Sequence, residues 1–158
     1  MPSRSPRSDL HKPQRHLGRG QALAEFALIA PVFLLVTFAI IEFGWYVYSV
    51  QTLNEAAREG ARYAIVHGST SLCPSGPMPG GAQNWCDPTG AKVEAVVRNA
   101  AVGIPGASIS FPTLTWNPNN GRGSVFSLVV QATHQPLIPM VPLPPITIGG
   151  ASSLVVQH

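Results

Sequence analysis

From Phe26 to Ile41 the chain runs sixteen residues without an ionisable side chain, and Glu25 stands at the mouth of that run. A carboxylate where lipid would begin is expensive, about 2 to 3 kcal/mol at a helix centre and less near the interface. Sixteen residues also fall short of the roughly 20 that a bilayer core requires. Ala22 to Ala24 extend the run on one side and Phe43 to Val50 on the other, so the expected span is Ala22–Val50. Trp45, Tyr46 and Tyr48 suit an aromatic belt at the far interface. Glu42 is then roughly 25 Å from Glu25 at about 1.5 Å per residue. There it can snorkel, face a partner, or sit as an interfacial carboxylate with no role. Pro31 removes one backbone hydrogen bond and is expected to kink the helix, which membrane helices tolerate when neighbours compensate.

Charge divides at Gly20. Arg4, Arg7, Lys12, Arg15 and Arg19 face only Asp9 before it, a net of +4. Five cations and six acids follow it, a net of −1. The sequence pI of about 9.2 therefore belongs to the N-terminal stretch. The remainder has no basic stripe interleaved with aromatics, which excludes a nucleic-acid reading. Cations beside an apolar helix orient it with the N-terminus on the cytoplasmic side. An ordinary secretory signal peptide shares this layout, and Val47-Tyr48-Ser49 loosely meets its small-residue requirement. Cleavage there would divide one helical pattern, because Val50, Leu53, Ala57, Ala61 and Ala64 continue at helical spacing. The helix is expected to run from about Ala22 to Val66 and to stop at Gly68.

Beyond the span, Glu55 with Arg58, and Glu59 with Arg62, stand three apart and can pair. Ala56, Gly60 and Ala64 form a stripe of small residues that lets another backbone approach closely. It is either a groove for the chain's own β region or a contact between subunits, and both can hold along different parts of its length. Residues 68–90 are rich in Gly, Pro and Ser and hold the only cysteines, Cys73 and Cys86. Outside the cytoplasm disulfides persist, and closing a loop of this length is worth roughly 3 kcal/mol. Two cysteines without a His at ligand spacing lack the four ligands that zinc wants, so no metal is expected. Trp85 is placed to cover the bridge.

Asp87 reads as the N-cap and Pro88 as the first residue of a second helix, with Val93, Val96, Val97, Ala100 and Ala101 on one face and Gly103 as its stop. Ala107–Trp116 and Ser124–His134 read as strands joined by a turn-rich link, which suggests a hairpin. Beyond the Pro-rich stretch 136–145, Ile146–Ile148 and Ser153–Gln157 add one or two strands, though two helices and a hairpin fit equally well. Catalytic patterns are absent: there is no Gly-x-Ser-x-Gly, no His-Glu-x-x-His and no phosphate loop. The five histidines are scattered, and none has an acidic residue at a close sequence spacing that would suggest a relay. No enzymatic activity and no cofactor are expected.

A glycine, a glutamate five residues on, then Phe and an apolar helix look like the processing site of a type IV prepilin. Gly20-Gln21-Ala22-Leu23-Ala24-Glu25-Phe26-Ala27-Leu28, Pro31, Glu42 and Ala56-Ala57-Arg58-Glu59-Gly60-Ala61-Arg62-Tyr63-Ala64 together resemble the TadE family of pseudopilins from tight-adherence (Flp) pilus systems. The resemblance implies a pilin-like α+β fold, a long N-terminal helix packed from Val50 to Val66 against a short second helix and a small antiparallel sheet. It implies a basic cytoplasmic leader 1–20 that is cleaved, a transmembrane segment 21–50, an outer helix 51–67 and an extracytoplasmic region 68–158. Gly20, Gln21, Glu25 and Phe26 would form the site for prepilin peptidase. Glu25 would then pair with the new terminal amine of a neighbouring subunit, and Pro31, Glu42, Ala56, Gly60 and Ala64 are the further subunit-packing candidates. The implied function is a minor pseudopilin or assembly component in the bacterial cytoplasmic membrane, possessing pilin, pseudopilin and assembly-protein partners. Two other readings stand beside it. One is an uncleaved, signal-anchored envelope protein that binds an extracytoplasmic partner, and the other is a secreted protein starting near Gln51.

Overall fold

The computed structural model describes residues 17–134, 136 and 144–157. Helix α1 spans Leu17–Val66 with Pro31 inside it. It starts five residues before the expected point and ends where the spacing predicted. The chain divides into two compact units, residues 1–39 and 40–158. The first consists, among the described residues, of the N-terminal part of α1, whose large apolar side chains from Leu23 to Phe38 are exposed.

The second unit builds a core on the outer part of α1. Helix α2 covers Ala91–Ala100, and strands β1 (Ile109–Asn117), β2 (Val125–His134) and β3 (Ile146–Val155) form an antiparallel sheet in the order β1-β2-β3. This resolves the open choice in favour of a three-stranded meander. The two short C-terminal segments are one strand that runs through Gly149 and Gly150. Glycines hide a strand signal because they carry no side chain to alternate, yet close packing requires them here. A Cβ on Gly150 would lie 2.6 Å from the Leu53 carbonyl oxygen, and one on Gly149 would lie 2.9 Å from that of Val130. Of the prolines expected to exclude helix, Pro139 and Pro142 lie outside the described residues, and Pro144 and Pro145 precede β3 without regular structure.

Alternation along β2 sends Phe126, Leu128, Val130 and Ala132 inward, where they meet Leu53, Ala56, Ala57, Ala61 and Ala64 of α1 and Val93 and Val97 of α2. Burying each of the larger side chains is worth about 1.5 to 3 kcal/mol. The small stripe on α1 is therefore occupied by the chain's own core: Ala56 and Ala64 are fully buried, and Gly60 faces Val97 and Leu128. Ala56, Gly60 and Ala64, named above as subunit-packing candidates, thus lie in the chain's own core. The Gln157 amide donates to the Ile65 carbonyl at 3.3 Å, seating the chain beyond β3 on the same helix.

The second helix starts later than its capping pattern indicates. Its N-cap is Gly90 at φ 81°, not Asp87. Pro88 and Thr89 form a turn, and Gly90 takes a left-handed conformation that leads into the helix. Glycine is needed there because a Cβ on Gly90 would lie 2.7 Å from Trp116 and Leu114, and one on Gly76 would lie 2.5 Å from the same indole. Asp87 still performs part of the expected task, because its Oδ2 accepts the Lys92 amide at 3.3 Å.

Candidate functional site

In the first unit the expected processing residues lie on one exposed helical stretch. The Gln21 side-chain amide donates to Glu25 Oε1 at 3.3 Å, one turn along the helix. Gly20 has open space around it, since a Cβ there would meet nothing within 4 Å. Phe26 is exposed, as are Leu28, Ile29, Val32, Phe33 and Leu35. Water does not favour such a surface, and α1 is long and apolar enough to cross a membrane, with none of its most apolar window buried. Thr37 donates its hydroxyl to the Phe33 carbonyl at 2.8 Å, which removes a polar group from that surface.

The second unit gives Glu42 a partner from its own chain. His134 Nε2 donates to Glu42 Oε1 at 3.1 Å, with the two side chains 6% and 17% exposed respectively. Tyr46 meets the same imidazole edge-on at 5.5 Å between ring centroids. Tyr48 donates its hydroxyl to the Val102 carbonyl at 3.1 Å and stacks on Trp45. Tyr46 and Tyr48 thus fasten α1 to the folded region, where the sequence reading placed a lipid-facing belt. Ser49 is buried and Val50 packs on the core. Exposed large apolar side chains run from Leu23 to Phe43 and recur at Val47 and Tyr48, within the expected span. A signal-peptidase cut near Ser49 would fall inside this packed helix.

Cys73 and Cys86 are bonded, with Cα atoms 5.3 Å apart. Trp85 does not cover the bridge, since it is 78% exposed. Lys92 lies there instead, with Nζ within 3.0 Å of both sulfurs. Asn84 is the residue that the sequence reading missed. Its Nδ2 donates to the carbonyls of Pro74, Gly76 and Asp87, and its Oδ1 accepts the amides of Cys86 and Asp87. The only signal for it was an Asn two residues before a cysteine in a loop. Ser75 Oγ donates to Asp87 Oδ2 at 2.8 Å, and Asn120 Nδ2 donates to the Ser75 carbonyl, tying the hairpin link to the cysteine loop.

Nearby, Tyr63 stacks on His67 at 3.9 Å, and His67 Nδ1 donates to the Tyr63 carbonyl. Burial raises the Tyr63 phenol pKa above its ordinary 10.0, and the negative charge of Asp87 raises it further. The Glu55–Arg58 pair forms at 2.7 Å on the exposed side of α1. Among the described residues Glu59 and Arg62 form no ion pair, and no group of His, Cys, Asp and Glu is arranged to hold a metal.

These features define a class: an α+β protein led by one apolar helix that can span a membrane. Residues 20–62 match the family model described as TadE-like protein. The matched segment begins at Gly20, contains Glu25 and Glu42, and ends within the packed outer helix. No curated protein and no solved structure gives a significant match.

Proposed function

We propose that this chain is a minor pseudopilin or assembly component of a Tad/Flp pilus, held in the cytoplasmic membrane by α1 with its N-terminus inside. The observation that carries this reading is the coincidence of the TadE-like match with the exposed apolar stretch headed by Gly20 and Glu25. Prepilin peptidase cuts between Gly20 and Gln21. Glycine suits that cut because it brings the backbone to the protease without a side chain. The new α-amino group of one subunit then pairs with Glu25 of another, and bundling of apolar helices buries both charges, which offsets the cost of a carboxylate in lipid. Pro31, on the same exposed stretch, packs against neighbouring subunits. The segments are a leader 1–20, a membrane portion within 21–50, an outer helix 51–67 and an extracytoplasmic region 68–158.

Mass spectrometry of the mature N-terminus tests this, in hosts with and without their prepilin peptidase. A terminus at Gln21 that requires the peptidase and is blocked by Gly20→Arg is the expected result. An intact leader in both hosts refutes processing. That outcome belongs to the second reading, an uncleaved signal-anchored envelope protein with an extracytoplasmic partner. One observation favours it: α1 is helical from Leu17, so the Gly20–Gln21 bond lies inside a helix and must unwind to be cut.

A further inference from the structure

The two edges of the sheet are built differently. β1 carries Pro112 and a register shift between Ser110 and Thr113, features that blunt an edge against further pairing. β3 has neither. Its ten residues pair with β2 in unbroken register from Ile146 to Val155. None of the three strands contains Asp, Glu, Lys or Arg. Thr147, Gly149, Ala151, Ser153 and Val155 present a small, exposed surface on one side of β3. In an antiparallel pair every second residue turns its N–H and C=O away from the partner strand. Apart from Gln157 Nε2 on the Val155 carbonyl, no described group satisfies those on the free edge of β3. A long, uncharged, unbent edge is a template for another strand.

We propose that the free edge of β3 is a docking strand for an extended, uncharged segment of a different protein chain, added by backbone hydrogen bonding. A second copy of this chain does not fit. Pairing β3 of one copy with β1 of the next meets Pro112 and the bulge. Antiparallel pairing of β3 with β3 requires a twofold axis normal to the sheet. Within the second unit α1 lies along the sheet face, with Leu53 against Gly150 and Gly60 against Leu128. Such an axis points the two helices in opposite directions, whereas copies inserted in one membrane point the same way. This exclusion rests on the membrane reading above. The added segment alternates apolar residues, continuing the row of Ile148 and Leu154 on the helix side, with small or hydroxyl residues beside Ala151 and Ser153.

A free peptide is not bound by that symmetry, so the sequence of β3 itself serves as the probe. In the register that opposes Ala151 to Ala151, Ile148 meets Leu154, Thr147 meets Val155 and Gly149 meets Ser153. The experiment is amide exchange on the full chain in detergent micelles, with and without a peptide of residues 146–155 bearing two extra lysines. Exchange is expected to slow by about tenfold or more at alternate residues of β3 and not on β1. Ala151→Lys weakens peptide binding by about tenfold or more, and Thr115→Lys on β1 leaves it unchanged. Unaltered β3 exchange, or slowing on β1, overturns the proposal. So does a full chain that is already dimeric and protected at alternate β3 residues without peptide. Release of the chain from host membranes by carbonate would overturn the membrane reading and the exclusion of a second copy, whereas the peptide result concerns β3 alone.

Discussion

His134, the last residue of β2, donates Nε2–H to the Glu42 carboxylate at 3.1 Å, joining groups 92 residues apart where the exposed apolar stretch of α1 gives way to the packed one. A largely buried polar pair of this kind is costly to break from one side, because the remaining partner keeps its desolvation penalty. Glu42→Ala and His134→Ala are each expected to destabilise the folded region by about 1 to 3 kcal/mol. The double variant should cost less than the sum, with a coupling of about 0.5 kcal/mol or more. Urea unfolding of the full chain in micelles, followed by tryptophan fluorescence, provides the measurement. Strict additivity would show that the contact contributes nothing.

Asn84 supports the loop that the Cys73–Cys86 bond closes, and five backbone groups depend on it. Asn84→Ala is expected to cost about 2 to 3 kcal/mol, comparable to removing the disulfide. Asn84→Asp retains the acceptor for the two amides but loses all three donated bonds, so it should recover only part of the loss. Thermal unfolding of the oxidised and reduced protein separates the two contributions. Equal stability of Asn84→Ala and the parent would refute the assignment.

Tyr63 keeps its proton at pH values where an ordinary phenol loses it, chiefly through burial and secondarily through Asp87. In the unfolded chain it titrates near 10. Just above that pH the unfolded state binds fewer protons than the folded one, so stability falls as pH rises. The contribution is fully present below about pH 10 and is lost as pH rises through the folded value. The tyrosinate absorbance difference between the parent and Tyr63→Phe should have its midpoint above 10.0. Asp87→Asn should lower that midpoint without restoring the ordinary value, because burial remains. A midpoint at or below 10.0 contradicts the assignment.

The sequence revealed those parts of the fold that repeat at short range. The apolar run, the helical spacing up to Val66, the Val93–Val97 face and the alternation of β2 are each visible within a few turns of chain. Contacts made across the chain were not visible. Nothing near His134 in sequence points to Glu42, and nothing near Asp87 shows that the N-cap is Gly90, packed against Trp116. The small stripe Ala56, Gly60 and Ala64 was legible as a surface of close approach, but spacing cannot say which backbone approaches. Glu25 is the opposite case: its local setting is readable, and the pairing proposed for it involves another molecule.

Three glycines separate folding from processing. A Cβ at Gly150 would meet backbone, the Leu53 carbonyl oxygen at 2.6 Å and the Asn54 nitrogen at 2.7 Å, neither of which can turn aside. A Cβ at Gly60 would meet side chains, Val97 Cγ2 at 2.4 Å and Leu128 Cδ2 at 3.0 Å, which can shift within the core. Gly20 meets nothing. Gly150→Ala is therefore expected to destabilise by about 2 to 3 kcal/mol and Gly60→Ala by about 1 to 2, the lower end reflecting the helix propensity that alanine adds. Gly20→Ala should leave the unfolding curve of the parent unchanged. If the chain is processed at Gly20, its mature N-terminus should be lost or delayed in Gly20→Ala alone, with the other two cut normally. Failure of cutting in Gly150→Ala as well would mean that the peptidase reads the folded region, and recognition through the Gly20–Phe26 segment alone would then be wrong.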